Sequence, residues 1–574
     1  MLRKFAIPFA VAFALGGCAT LPAAEKVAET TALAPTFIGT VSAADPRAEA
    51  AGLEMLRRGG SATDAAIATM LALTVVEPQS SGIGGGGFMV RGTADGQVTA
   101  LDGRETAPSG ATPEWFLGPD GTLPPFAESV RSGLSVGVPG NIALAAMAHA
   151  RHGRLDWATL FEPAIRLARE GFQINPRLQG SLSSAGDRAA FTETGRALFR
   201  DAEGNPFPVG HLVVNEELAR TFEAIAAGGP QVFYRGERAE ALAETVAAAT
   251  PRNGAMSAED VAAYTAKPRD AICGSYRGYR VCGMGPPTSG GVAVLQMLAM
   301  LERFDLASLG AENPVTWHLF LEAQRLAYAD RELYLADPDF VTVPTPGLLD
   351  PAYLARRSAL IDPGKAMASA EPGIPAGAPP APGDGDEPPE QGTTHFAVVD
   401  ANQTMVSYTS TIEGPFGSGL MTGGFFLNNE LTDFSRAPVV DGRPVANRVE
   451  GGKRPRSSMA PMVVWAPDGR PLLAVGAAGG GTIPVQTARS IIGVIDFGLD
   501  AGPALGLPFI MSFGDRVLVE QGTWLEGAIT AFVALGHADL FARPAPVKAN
   551  AVLRRDGAWQ SARDPRLESQ LELP

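Results

Sequence analysis

Metal ligands are scarce in this sequence, with six His and three Cys among 574 residues. No Cys-x-x-Cys or His-x-x-x-His spacing occurs. His149 and His152 are close together at a helix end but have no partner cluster, so they suit a surface or capping role. A metal hydrolase is not expected, and neither is any cofactor. A cationic excess is also missing: 46 Lys and Arg face 61 Asp and Glu, a net charge of −15. That balance argues against a nucleic-acid partner and favours solubility. The apolar stretch Phe5–Gly17, which follows the basic head Met1-Leu2-Arg3-Lys4, falls short of the roughly 20 residues that span a bilayer. It reads as a secretory signal. What remains is a chain of ordinary apolar content, 45%, long enough for a large core.

The end of the leader, Leu15-Gly16-Gly17-Cys18, resembles the lipobox of bacterial lipoproteins, with Cys18 as the lipidated residue. The alternative is an ordinary signal with a chance Cys. Residues 18–36 are polar and Ala-rich, as a tether between lipid and folded body would be. The expected location is the periplasmic side of a bacterial envelope, held to the membrane by a lipid anchor only. Export permits disulfides. A two-residue turn at Arg277-Gly278 would place Cys273 opposite Cys282 in a non-hydrogen-bonded pair, with Cα atoms about 4.5 Å apart. A structural bridge and a pair of buried thiols both fit.

Asp45-Pro46 opens a helix that Gly59-Gly60 closes, and a second helical run covers Asp64–Val75. Gly84 to Gly87 precede a strand, where glycine lets the backbone approach a neighbouring chain or a ligand. No Gly-Lys-Ser/Thr follows, so this is no phosphate loop. Gly87–Arg91 and Val98–Asp102 form a hairpin pattern. Helical stretches follow within Asn141–Gly171, Asn215–Ala227, Arg238–Ala249, after Pro286–Gly291, and over Thr316–Leu335. Residues 370–392 are Pro, Gly, Ala and acid, a composition that predicts an exposed, cleavable linker. Beyond it, Thr394–Val399, Thr404–Thr409, Gly424–Asn428, Met462–Ala466 and Leu472–Ala477 read as strands. Gln486–Phe497 and Leu525–Leu535 read as helices.

Thr393 stands at the abrupt boundary between linker and strand. A Thr hydroxyl needs a base, and an N-terminal Thr carries one in its own α-amine, which titrates near 7.7–8.0. Inside a chain that nitrogen is an amide. Activation therefore requires cleavage between Gly392 and Thr393, dividing the chain into a large subunit, 37–392, and a small subunit, 393–574.

Gln391-Gly392-Thr393-Thr394-His395 resembles the autoprocessing junction of the γ-glutamyltransferases (γ-glutamyl transpeptidases), members of the N-terminal-nucleophile hydrolases. Further matches, in order, are Gly82–Met89, Leu101–Glu105, Gly137–Gly140, Pro286–Gly291, Leu427–Ser435, Lys453–Met459 and Ala478–Gly481. The resemblance implies an α+β fold, a four-layer αββα sandwich of two antiparallel sheets between helical layers. It implies that Arg104, Ser457 and Ser458 hold the α-carboxylate of a γ-glutamyl donor, and that Glu430 and Asp433 hold its α-ammonium. By the same resemblance Thr411 hydrogen-bonds the nucleophile, and Gly479 and Gly480 form the oxyanion hole. The small-molecule donor's γ-glutamyl group would pass to water or to an amino acid or peptide.

Two features depart from the family. Glu413 stands where an Asn usually contacts the ammonium, and the lid segment 436–452 is short and lacks aromatics. An open lid admits water, which favours hydrolysis over transfer. The rivals are an acylase of the same fold acting on glutaryl-type amides and a non-catalytic envelope lipoprotein.

Overall fold

In Gly392–Asp400 and Met405–Glu413 every residue is buried, so both faces of this strand pair must be covered. The two-residue period sorts them. Phe396, Val398, Val406, Tyr408 and Ile412 enter one core, while Ala397, Val399 and Met405 enter another. The first core is shared with helices and the second with the facing sheet. This is the arithmetic of a four-layer sandwich.

The computed structural model describes residues 37–574 apart from 253, 381, 384, 386–391 and 574. The leader, Cys18 and the tether lie outside the described residues, as does the segment just before Gly392. Strands used below are β1 Gly39–Ser42, β2 Gly86–Gly92, β3 Val98–Asp102, β4 Lys267–Arg269, β5 Ile272–Tyr276, β6 Tyr279–Gly283, β7 Gly392–Asp400, β8 Met405–Glu413, β9 Met462–Trp465, β10 Pro471–Ala478, β11 Lys548–Arg555 and β12 Ala558–Arg563. One sheet runs β1-β7-β8-β2-β3-β4, the other β12-β11-β10-β9-β6-β5. Neighbouring strands in both are antiparallel.

Helices α1, Pro46–Arg57, and α2, Ala62–Val76, cover the first sheet. The Asp45 side chain caps α1, and a Ser61–Asp64 capping box starts α2. Helices α3, Gly290–Leu301, α4, Pro314–Tyr334, and α5, Ile483–Ile495, share the second sheet's core. Among the described residues no helix is long and apolar enough to cross a membrane.

The β5–β6 hairpin has the expected register, Tyr276 opposite Tyr279 through to Cys273 opposite Cys282, and the two cysteines form a disulfide with Cα atoms 4.1 Å apart. Both turn residues take left-handed φ, 52° at Arg277 and 79° at Gly278, which matches the twist of a tight hairpin. Other expectations need correction. The strand expected over Gly424–Asn428 shrinks to Phe425–Phe426, and the Leu525–Leu535 helix is two short ones. The linker is not loose along its whole length. Gly373 N–H donates to Asp330 at 2.8 Å and its carbonyl accepts from Tyr334 at 2.7 Å, although Ile374 beside it is 84% exposed. Backbone polar groups pin this half where side-chain burial cannot.

Candidate active site

Thr393 opens β7 on the face that looks between the sheets, as His395 does two residues on. Thr411 on β8 lies directly opposite. The Thr393 hydroxyl donates to Thr411 Oγ1 at 3.2 Å. Thr411 donates in turn to the Gly392 carbonyl at 2.6 Å and accepts from Glu413 N–H at 2.8 Å. One hydroxyl thus touches both Thr393 and the Gly392 carbonyl. The chain just before β2 lies tight against this point: a Cβ on Gly85 would come within 2.0 Å of Thr411 O, so the glycine run serves backbone contact. His395 is no base for Thr393, because its Nδ1 is engaged with Thr409 Oγ1 at 2.8 Å and burial pushes its pKa down to about 3.

Gly479 and Gly480 follow β10 with φ of 121° and 57° and lead through a short turn into α5. Only glycine takes such a path readily, and it presents amide groups at a helix N-terminus, where negative charge is favoured. Gly476 of β10 packs its bare Cα against the His395 ring, and Ser407 Oγ donates to Val475 O at 3.1 Å. β10 therefore runs toward the Thr393 end of β7, and the Gly479–Gly480 turn lies at that end.

The predicted recognition residues are buried, and the charged ones pair with one another. Arg104, 1% exposed, forks onto Glu430 with one nitrogen and Asp433 with the other, and also donates to the carbonyls of Pro455 and Arg456. The predicted carboxylate reader thus holds the two predicted ammonium readers. Ser458 Oγ accepts from Arg331 at 2.7 Å, and Arg331 also donates to Ser289 Oγ at 2.7 Å. Ser457 Oγ accepts from Met459 N–H at 3.1 Å.

Glu413 sits at φ 72°, a left-handed position that Asn tolerates and that costs other residues about 1–2 kcal/mol. Its carboxylate is held by Asn429 Nδ2 and lies near enough to Arg188 to attract its guanidinium. The lid segment forms an exposed hairpin, Val439–Val440 with Arg443–Pro444. It is tied down where Ser435 N–H donates to Asn447 O and Asn447 Nδ2 donates to Asp433 O.

Sequence reasoning passed over Glu105, fully buried beside Arg104, whose carboxyl burial pushes up to about 7. Burial, with Glu430 and Glu413 nearby, also raises Asp433 well above the usual carboxylate range against the pull of Arg104. Its place in the Leu101–Glu105 run was the available signal, but which side chain a buried pair of neighbours uses is a matter of packing. A search for His-x-x-x-His spacing also missed His318, Glu322 and His537, whose ligand atoms lie within 4.8 Å of one another. Their lone pairs are engaged. His318 Nε2–H donates to Asp362 O, its Nδ1 accepts from His537, and Glu322 accepts from Met367 N–H and Arg325.

The Gamma-glutamyltranspeptidase family model matches residues 48–573. The glutathione hydrolase proenzyme of Escherichia coli (strain K12) is 38% identical over 498 residues, 84% of this chain and 83% of that protein. The chain belongs to the gamma-glutamyltranspeptidase family. Within and around that family, the acylase ACY 1 proenzyme of Pseudomonas sp. (strain SE83) is 35% identical over 508 residues, 87% of each protein. The solved cephalosporin acylase from Bacillus halodurans superposes with a TM-score of 0.81 at 29% identity, over 92% of this chain and 95% of that one. The two antiparallel sheets between helical layers are thus the gamma-glutamyltranspeptidase sandwich, with Thr393 at its inner edge.

Proposed function

We propose that this gamma-glutamyltranspeptidase is a self-cleaving γ-glutamyl hydrolase/transferase that acts on glutathione and related amides through Thr393. The observation that carries the reading is the Thr393–Thr411–Gly392 relay. In the uncut chain, Thr393 Oγ attacks the Gly392 carbonyl carbon while Thr411 O–H supports the developing oxyanion. The C–N bond breaks, the nitrogen takes a proton, and an ester links Gly392 to Thr393 Oγ. Water then frees the Gly392 carboxylate, leaving Thr393 with a hydroxyl and its own α-amine as base.

Turnover repeats this chemistry on a γ-amide. The α-amine takes the Thr393 proton, the oxyanion rests on Gly479 and Gly480 N–H groups, and the leaving amine departs with the proton. Water or an amine then opens the γ-glutamyl ester. The donor's α-carboxylate and α-ammonium replace each other's internal stand-ins, the carboxylate taking Arg104 with Ser457 and Ser458, the ammonium taking Glu430 and Asp433. An ion pair exchanged for ion pairs limits the desolvation cost. A glutaryl group has no ammonium to offer these acids, which favours γ-glutamyl donors over the acylase reading. The open hairpin of the lid favours water as acceptor. A signal peptide, Cys18 lipidation and a periplasmic, membrane-anchored location complete the proposal.

N-terminal sequencing of the smaller fragment tests junction and nucleophile together. The expected first residue is Thr393, and Thr393→Ala should stay uncut and inactive; normal cleavage of that variant would place the junction elsewhere. Faster release from a glutaryl anilide than from the γ-glutamyl anilide would make the protein an acylase instead.

A further inference from the structure

Helix α4 carries His318 and Glu322 one turn apart, on one face. Both are fully buried, and His537, from the other side of the Gly392–Thr393 bond, meets them at 5% exposure. The turn that delivers His537 closes the short helix Ile529–Ala534. His537 N–H donates to Phe532 O at 3.1 Å, and Leu535 O accepts from Ala366 N–H at 2.7 Å. One ligand atom from each of the three side chains lies within 4.8 Å of the other two.

Hydrogen bonds around the cluster set its donors. Asp362 O can only accept, so His318 Nε2 carries a proton and Nδ1 presents its lone pair to His537 Nε2 at 2.8 Å. A backbone carbonyl behind the outer nitrogen is the support that metal-binding His residues use. Glu322 is fixed in the same manner, by Met367 N–H at 2.7 Å and Arg325 at 3.1 Å, which occupy two of its roughly four lone-pair sites. Arg325 divides its charge between Glu322 and Asp515. A cavity of about 590 Å³, whose walls include Asp362, Met367, Gly536 and His537, gives entry from solvent and room for water.

We propose that His318 Nδ1, His537 Nε2 and a Glu322 oxygen bind a divalent transition metal of the zinc class, with water as the fourth ligand. Two imidazoles and one carboxylate are a donor set that suits zinc. With bonds of about 2.0–2.1 Å, tetrahedral donors stand about 3.4 Å apart, so the imidazole contact widens and Glu322 swings inward. His537 changes tautomer as the metal enters. Its proton leaves Nε2 and Nδ1 gains one from solvent, so the ring stays neutral. His318 and Glu322 precede Gly392 and His537 follows it, so the ion fastens together the two subunits of the proposed cut. The binding itself needs no chemistry at Thr393.

Equilibrium dialysis with zinc alone, on metal-stripped processed enzyme and on uncut Thr393→Ala, should give one ion per molecule in both. His537→Gln should lower the affinity more than about 100-fold, and His537→Cys, which keeps a zinc ligand, should recover most of it. Glu322→Gln gives the same comparison from the helix side and serves if the His537 variants fail to fold. Cobalt(II) in place of zinc should show the visible bands of a four-coordinate ion in the wild type and lose them in His537→Gln. Zinc should raise the denaturant midpoint of the wild type and leave that of His537→Gln where it was. Absence of saturable zinc uptake by the wild type, or equal uptake by wild type and variants, would reduce the cluster to a hydrogen-bonded pair of imidazoles and overturn the inference. Either result leaves the γ-glutamyl reading as it stands.

Discussion

The donor chamber around Arg104 and the cavity beyond Gly479 handle charge in opposite ways. In the chamber, Arg104, Glu105, Glu430 and Asp433 are all buried and close together, with Arg104 forking onto Glu430 and Asp433 inside the protein. In the cavity, whose walls include Gly479, Arg543 is exposed to solvent and Lys548 is partly buried near Arg177. Buried pairs are intolerant: removing one partner strands the other, and salt hardly screens them. Exposed cations are screened by salt and worth little singly. On the proposed reading, the chamber demands one group, the γ-glutamyl head.

The largest effect is expected on the chamber side. Asp433→Ala takes away one of the two carboxylates that Arg104 forks onto and half of the proposed ammonium site, which should lower kcat/KM on the order of 10²–10³-fold. The loss should be the same whether the leaving amine is neutral or carries a carboxylate. A loss that depends on the leaving group would mean that the two sides are coupled, and the contrast drawn above would fail.

Thr411→Val comes next, because that hydroxyl serves both sides equally. Losing its bonds to Thr393 and to the Gly392 carbonyl should slow self-cleavage and turnover about 10–100-fold. The time course of precursor conversion on a denaturing gel and kcat for the γ-glutamyl anilide read this out. Slow cleavage with normal turnover would confine Thr411 to maturation.

Much of this contrast was legible in the chain. Thr393 announced itself as a hydroxyl residue where a Pro- and Gly-rich segment meets a strand, and Arg277-Gly278 fixed the cysteine register through turn chemistry alone. The chamber was legible only as a set of motif positions. That Arg104 would hold Glu430 and Asp433 depends on two segments some 330 residues apart meeting in space. Lys548 was hidden because β11, Lys-Ala-Asn-Ala-Val-Leu-Arg-Arg, has small and polar residues at the positions that alternate. Its inward face carries Asn550, whose Nδ2 donates to His395 O at 2.9 Å, and Lys548 two residues earlier, so the usual strand signal inverts where the sandwich interior turns polar. β1 and β4 escaped for a simpler reason, being four and three residues long, with a Pro in the latter.

Glu105 gives the smallest and most local test of the chamber. Its carboxyl titrates in the unfolded chain near 4.5 and in the folded protein near 7, with burial as the main cause. Between those values the folded protein holds a proton that the unfolded chain has released. The stability this contributes is therefore complete below about 4.5 and is lost as pH rises through about 7. Glu105→Gln keeps the shape and has no proton to lose. Its Tm should fall less than the wild type's between pH 5.5 and 8, a difference on the order of 1–3 kcal/mol in stability. A residual slope should survive in the variant, since Asp433 is raised for the same reason and in the same direction. Parallel curves for the two proteins would mean that Glu105 is ionised throughout. The chamber would then carry a further negative charge beside Glu430 and Asp433, which already share Arg104, and the donor's ammonium would be the counter-charge that meets it.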